Sequence, residues 1–240
     1  MRCEVMEMRI MLVNDDGIAA PGIWALYDAL SSEHDLIVCA PHSQCSGFSH
    51  SISITGQLKV HRFERGGAQA YEVFGTPADC ALLGLNALCE RLPDLVISGI
   101  NDGYNSAMDV HYSGTIGAAI EARLHGVPAL AVSTRLGNRD FAQVLRLTHE
   151  LMDITLADAS GNCIYSLNVP SGEVRGLRRA PLAGRFCDTL YTRCKTEGDD
   201  IEYAVKHAYY APDSPDPRND RELLKCGFAT YTALRCDWTA

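Results

Sequence analysis

The chain has 240 residues, enough for one large α/β domain or a core with a modest appendage. With 47% hydrophobic and 21% charged residues it can build a sizeable core, and a net charge of −9 argues against a surface that tracks nucleic-acid polymers. No apolar run approaches the ~18 residues of a membrane span, Met1–Glu7 lacks the apolar region of a signal peptide, and the ten cysteines form no C-x-x-C pair, so the expectation is a cytoplasmic protein with reduced thiols and no zinc site.

In chain order, Arg9–Val13 reads as a buried strand that stops abruptly at Asn14-Asp15-Asp16-Gly17. A helix follows from about Gly22 to Leu30, then a strand over Asp35–Ala40 closed by Pro41. Ser51–Ile54 and Leu58–Phe63 alternate around Gly56, which suggests a hairpin, and Tyr71–Phe74 is a short strand. Thr76-Pro77-Ala78-Asp79 places a cap, a first-turn proline and an acid in order, so a helix starts there and runs to about Arg91.

Asp94–Ser98 is another buried strand, Gly114–His125 a helix ended by Gly126, and Ala129–Ser133 a strand. Phe141–Ala157 is an amphipathic helix and Ile164–Val169 a strand. This alternation implies a doubly wound, mostly parallel, Rossmann-like α/β sheet with helices on both faces, over a core of about 9–171. From Gly172 onward short strands and turns, with Pro212-Asp213-Ser214-Pro215-Asp216-Pro217 among them, suggest a β-rich C-terminal extension of one domain.

In such a sheet the ligand lies outside the carboxyl ends of the strands, so polar residues after three strands should converge. The first set is Asn14, Asp15 and Asp16; the second is the hydroxyl-rich loop Pro41–Ser51; the third runs from Gly99 through Asn101 and Asn105, then from Asp109 to Ser113-Gly114-Thr115. Adjacent carboxylates raise each other's pKa unless a cation neutralises them. Carboxylate, hydroxyl and amide oxygens suit Mg²⁺, Mn²⁺ or Ca²⁺. Ser113-Gly114-Thr115 opens a helix whose unpaired N–H groups face the same rim, an anion site. Cation and anion site together are what phosphoryl chemistry requires.

Four segments in order, Asn14-Asp15-Asp16-Gly17, Gly75-Thr76-Pro77-Ala78-Asp79-Cys80, Ser98-Gly99-Ile100-Asn101-x-Gly103-x-Asn105 and Tyr112-Ser113-Gly114-Thr115, resemble the SurE family of nucleotidases. Weaker echoes include Asn168-Val169-Pro170 and Asp220 through Gly227-Phe228. The resemblance implies a divalent-metal-dependent phosphatase acting on nucleoside 5′- and 3′-monophosphates, and leaves open whether short polyphosphates are also cut. Carried over by motif, the metal ligands fall on Asp15, Asp16, Ser46 and Asn101, holding one Mg²⁺ or Mn²⁺ per subunit. Asn14, Asn105, Ser113, Gly114 and Thr115 fall where the family holds phosphate. It also implies a homodimer or homotetramer through the C-terminal extension.

This chain departs from the family pattern at Cys45, where a basic residue is usual, at Asp102, at Tyr104 and at His111. The expected mechanism is in-line attack by metal-activated water, with Asp15 or Asp16 able to take the proton. His42, His50 and His111 read as hydrogen-bonded loop histidines before general acids, Cys45 as a packed thiol, and Thr76 with Asp79 as a capping pair. A covalent route through Asp15 or Asp16, and a non-catalytic nucleotide-binding or assembly protein of the same fold, are the rival readings.

Overall fold

In the computed structural model the described residues are 7–158, 162–197, 199–210 and 216–237; Met1–Met6 and Pro212–Pro215 of the turn-rich segment lie outside them. Among the described residues eleven strands and five α-helices follow in chain order. They are β1 (Arg9–Val13), α1 (Pro21–Leu30), β2 (Asp35–Pro41), β3 (Val60–Arg62), β4 (Gln69–Val73), α2 (Pro77–Leu83), β5 (Leu95–Asp102) and α3 (Gly114–Leu124). Then come β6 (Ala129–Thr134), α4 (Ala142–Ala157), β7 (Cys163–Val169), β8 (Leu177–Arg179), β9 (Cys187–Glu197), β10 (Asp200–Tyr209), α5 (Asp220–Lys225) and β11 (Ala229–Arg235).

Nine strands form one sheet in the order β3-β4-β2-β1-β5-β6-β7-β11-β8. The run from β4 through β7 is parallel throughout, and β3 and β11 join it antiparallel. The chain moves outward from β1 in one direction and returns to place β5 on its other side, so the strand order reverses between β1 and β5. That reversal opens a crevice at their carboxyl ends.

Alternation along each strand sorts the core into two layers. Ile10, Leu12, Val38, Ile97 and Leu130 pack with Ile23 and Leu26 of α1 and with Leu147 and Leu151 of α4. Met11, Val13, Ile37, Val96 and Ala131 pack on the opposite face with Cys80 and Ala81 of α2 and with Ile116 and Ala119 of α3. Both faces of the central strands are therefore dry, which is why they read as continuous apolar runs.

Three local readings are corrected. The hairpin is β3 with β4, and Ser51–Ile54 forms no strand. Side chains claim that segment: Asp79 accepts from the Ser53 N–H (2.7 Å) and hydroxyl (2.8 Å), and the Thr76 hydroxyl donates to Ser51 O (2.6 Å). The helix opened by the Thr76–Asp79 capping box ends early, widening into a π-turn over Gly84–Leu88. There Gly84 approaches Met11 so closely that a Cβ would lie 2.3 Å from its sulfur.

The tail also differs from short strands. β8 and β11 widen the main sheet, while β9 and β10 form an antiparallel ribbon of 11 and 10 residues. The ribbon exposes Leu190, Tyr191, Tyr203 and Val205.

Candidate active site

β1 ends in a turn built by its own side chains. Gly17 takes a left-handed φ of 98°, and Asn14 closes the loop by donating to Gly17 O (2.9 Å) and accepting the Gly17 N–H (3.2 Å). Asn14 is fully buried, and its side chain shapes the turn. The loop after β2 docks on this turn: the Cys45 N–H donates to Asp15 O (2.7 Å) and the Ile18 N–H to Pro41 O (2.8 Å). This brings Ser46 to the same edge, exposed, its hydroxyl accepting from Gln44 (3.0 Å).

The two carboxylates have different surroundings. Asp15 is buried, and its Oδ1 accepts from the Thr115 hydroxyl at 2.5 Å. Burial pushes its carboxyl up to about 6; the Thr115 hydrogen bond opposes this and the charge of Asp16 adds to it. Asp15 thus occupies the N-terminus of α3, where an anion is favoured. Gly114 permits that approach, since a Cβ there would lie 2.9 Å from the Asp15 Cβ.

Asp16 is half-buried and accepts the Asp102 N–H at 2.9 Å. Burial raises its carboxyl as well, opposed by that hydrogen bond and by Arg139, and assisted by Asp102. Asp16 lines a cavity of about 260 Å³ with Gln44, Ile100, Asp102 and Arg139.

Asn101 reaches the rim through a bulge. Ser98 pairs with Ala131 and Asn101 with Ser133, so β5 carries one extra residue between those pairs, a device that re-aims side chains. Its amide nitrogen donates to Gly103 O (2.8 Å), which turns the amide oxygen the other way; that oxygen takes no hydrogen bond among the described residues. Asp15, Asp16 and Asn101 thus end adjacent parallel strands, and Ser46 comes from the loop docked on them. Among the described residues no group of three or more His, Cys, Asp or Glu side chains is placed to hold a metal.

The expected phosphate-holding residues are drawn into the same rim, with most of their side chains engaged. Ser113 caps α3 by accepting the Ile116 N–H (3.1 Å), and Thr115 serves Asp15. Asn105 is buried and donates to the Ser133 hydroxyl (2.9 Å). Its backbone is held on both sides by Asn168, which accepts the Asn105 N–H and donates to Asn105 O, each at 2.9 Å. Fully buried Asp220 anchors the next stretch by accepting the N–H groups of Ala107 and Ala183, both at 2.7 Å.

Two of the neighbouring departures, Cys45 and Asp102, have structural explanations. The Cys45 thiol is buried and donates to Ser43 O (3.3 Å), and burial together with Asp15 pushes its pKa up, so it is a packed thiol. Asp102 pairs with Arg139 (2.9 Å) and accepts the Gly137 N–H (2.6 Å), which ties the β6–α4 loop to the crevice. His42 contacts Glu72 (2.8 Å) and His50 contacts Glu121 (2.5 Å), while exposed His111 receives the Ser49 hydroxyl on its backbone oxygen (2.6 Å). Sequence reasoning gave no role to Arg139, Asn168 or Asp220. The latter two stood inside recognisable segments, but nothing local said which loop they hold.

Comparison with known proteins agrees with this architecture. Residues 10–189 match the family described as Survival protein SurE. A protein of Nitratidesulfovibrio vulgaris named 5′-nucleotidase SurE is 37% identical over 238 residues, covering 97% of this chain and 88% of its own. A Clostridium tetani protein of the same name is 34% identical over 240 residues, covering 97% and 95%. The crystal structure of the SurE protein from Aquifex aeolicus superposes with a TM-score of 0.80 at 31% identity, covering 96% of this chain and 94% of that one. The chain belongs to the SurE family.

Proposed function

We propose that this member of the SurE family is a nucleotidase, a divalent-cation-dependent phosphomonoesterase that releases phosphate from nucleoside 5′- and 3′-monophosphates. The observation that carries the reading is the pair of adjacent carboxylates, Asp15 and Asp16, both raised by burial at the point where the strand order reverses. Relatives named 5′-nucleotidase SurE support the substrate class.

The residues fit a hard divalent cation. Two carboxylates, the free amide oxygen of Asn101 and the exposed Ser46 hydroxyl are all oxygen donors, the set that Mg²⁺ or Mn²⁺ prefers over softer metals. A cation would also lift the electrostatic penalty on Asp15 and Asp16. When bound, it would neutralise phosphoryl charge and acidify water.

The remaining work falls to the chain itself. Asp15, fixed by Thr115, holds the cation side of the site rigid. Asp16, facing the cavity, accepts the proton of the attacking water. The Gly114 N–H and the Ser113 hydroxyl proton, at the start of α3, meet the equatorial phosphoryl oxygens. The exposed ribbon of β9 and β10 supports a homodimer or homotetramer as the assembled form.

The test is phosphate release from a panel of nucleoside 5′- and 3′-monophosphates with Mn²⁺, Mg²⁺ or excess chelator. Expected is turnover that chelator abolishes and metal restores, lowered by about 100-fold or more in Asp15→Asn. Turnover indifferent to chelator and to that substitution would overturn the reading.

A further inference from the structure

A second cavity lies along the same rim, of about 590 Å³, over the carboxyl ends of β5, β6 and β7. Its walls include Tyr104, Asp109, Arg135, Phe186, Tyr209 and Arg221. Tyr104 belongs to the segment that directly precedes Asn105, so a substrate whose phosphate lies at the crevice has this cavity beside it. The volume is in the range that accommodates a small organic ligand.

Its chemistry is specific. Tyr104 offers a half-buried ring, and Phe186 and Tyr209 stack with centroids 5.9 Å apart. The Arg221 guanidinium lies 3.4 Å from the Phe186 centroid and makes no hydrogen bond among the described residues; its Nη1 is buried without a partner. The Asp109 carboxylate lies within electrostatic reach of Arg221, also without a hydrogen bond among the described residues. The wall therefore presents a planar donor and a carboxylate acceptor beside aromatic rings, neither side chain hydrogen-bonded among the described residues.

We infer that this cavity binds the nucleobase of the substrate and selects guanine, Arg221 donating to the O6/N7 edge and Asp109 accepting from N1–H and the 2-amino group. The inference rests on the nucleotidase reading. Guanine presents two acceptors side by side to a guanidinium, whereas adenine presents one acceptor and an amino donor there. Its N1 is also an acceptor, which Asp109 would repel. The exposed Tyr209 and half-buried Tyr104 rings supply a stacking surface that any base can use, so discrimination falls on the charged pair.

The experiment compares kcat/KM for 5′-GMP and 5′-AMP in the Mn²⁺-loaded wild-type protein, alongside calorimetric binding of both nucleotides. Expected is a preference for GMP of about tenfold or more, reduced to near unity in Arg221→Met, which keeps an apolar stem against Phe186. Equal values for GMP and AMP in the wild-type protein overturn the inference, and so does a preference that Arg221→Met leaves intact. Hydrolysis of p-nitrophenyl phosphate, which has no base, reads the phosphatase separately. Its absence together with tighter binding of GMP than AMP would sink the nucleotidase reading and leave the base site standing.

Discussion

Asn168 grips Asn105 by both of its backbone polar groups, accepting its N–H and donating to its carbonyl at 2.9 Å each. Both side chains are buried, so the pair works like a short piece of sheet ladder made by one amide. It fixes the loop between β5 and α3 to the end of β7.

Asn168→Ala should leave Asn105 with an unsatisfied N–H and carbonyl and loosen the loop. With phosphate release as readout, kcat should fall about 10-fold or more while Mn²⁺ affinity stays near wild type, because the proposed ligands lie on other strands. Asn168→Asp, which keeps only the acceptor, should be intermediate. Equal loss of metal affinity and kcat would show that Asn168 acts on the whole site.

Asp220→Ala should destabilise the fold through backbone donors. Two buried N–H groups, of Ala107 and Ala183, lose their acceptor. At about 1–3 kcal/mol for each orphaned group, chemical denaturation should report a loss of about 2–6 kcal/mol. A change below about 0.5 kcal/mol would mean water replaces the carboxylate.

The raised carboxyl of Asp15 sets a pH dependence. With its folded value near 6 and the ordinary aspartate value near 4, the folded state binds the proton more tightly. That contribution is fully present below about pH 4 and is lost as pH rises through about 6. In chelator the unfolding temperature should therefore carry a falling component between these limits. Mn²⁺ should raise it above pH 6 and have little effect near pH 4, and Asp15→Asn should abolish both behaviours.

Gly117→Ala tests how the Ser46 loop is seated. A Cβ at Gly117 would lie 2.5 Å from Ser49 O and 2.9 Å from the His50 Cα, both backbone atoms. Alanine favours a helix intrinsically by about 1 kcal/mol over glycine, so stability should nonetheless drop by about 1–3 kcal/mol from overpacking. Weaker Mn²⁺ binding in the same variant would follow from displacement of Ser46. An unchanged melting temperature would falsify this account of the loop.

Elements whose cause is local were legible. The apolar run of β1 is buried on both faces and breaks at three polar residues, and the Thr76–Asp79 box opens α2 as its composition requires. Ser51–Ile54 misled because alternation there serves no sheet: distant Asp79 and Thr76 satisfy its polar groups. The long ribbon of β9 and β10 looked like short strands because both its faces are largely exposed, leaving little hydrophobic alternation to read.

The sequence by itself determined the alternating α/β order and the polar, oxygen-rich breaks that end the strands, while the set Asp15, Asp16, Ser46 and Asn101 came from the family resemblance. Periodicity and turn chemistry are local, and local signals survive in one dimension. Only the tertiary structure decided that Thr115 holds Asp15 from 100 positions away, that Asn168 holds Asn105, and that Asp220 anchors Ala107. It also decided that Asn14 closes its own turn. A buried polar atom must be paired by whatever the fold brings near, and that neighbour has no fixed spacing along the chain.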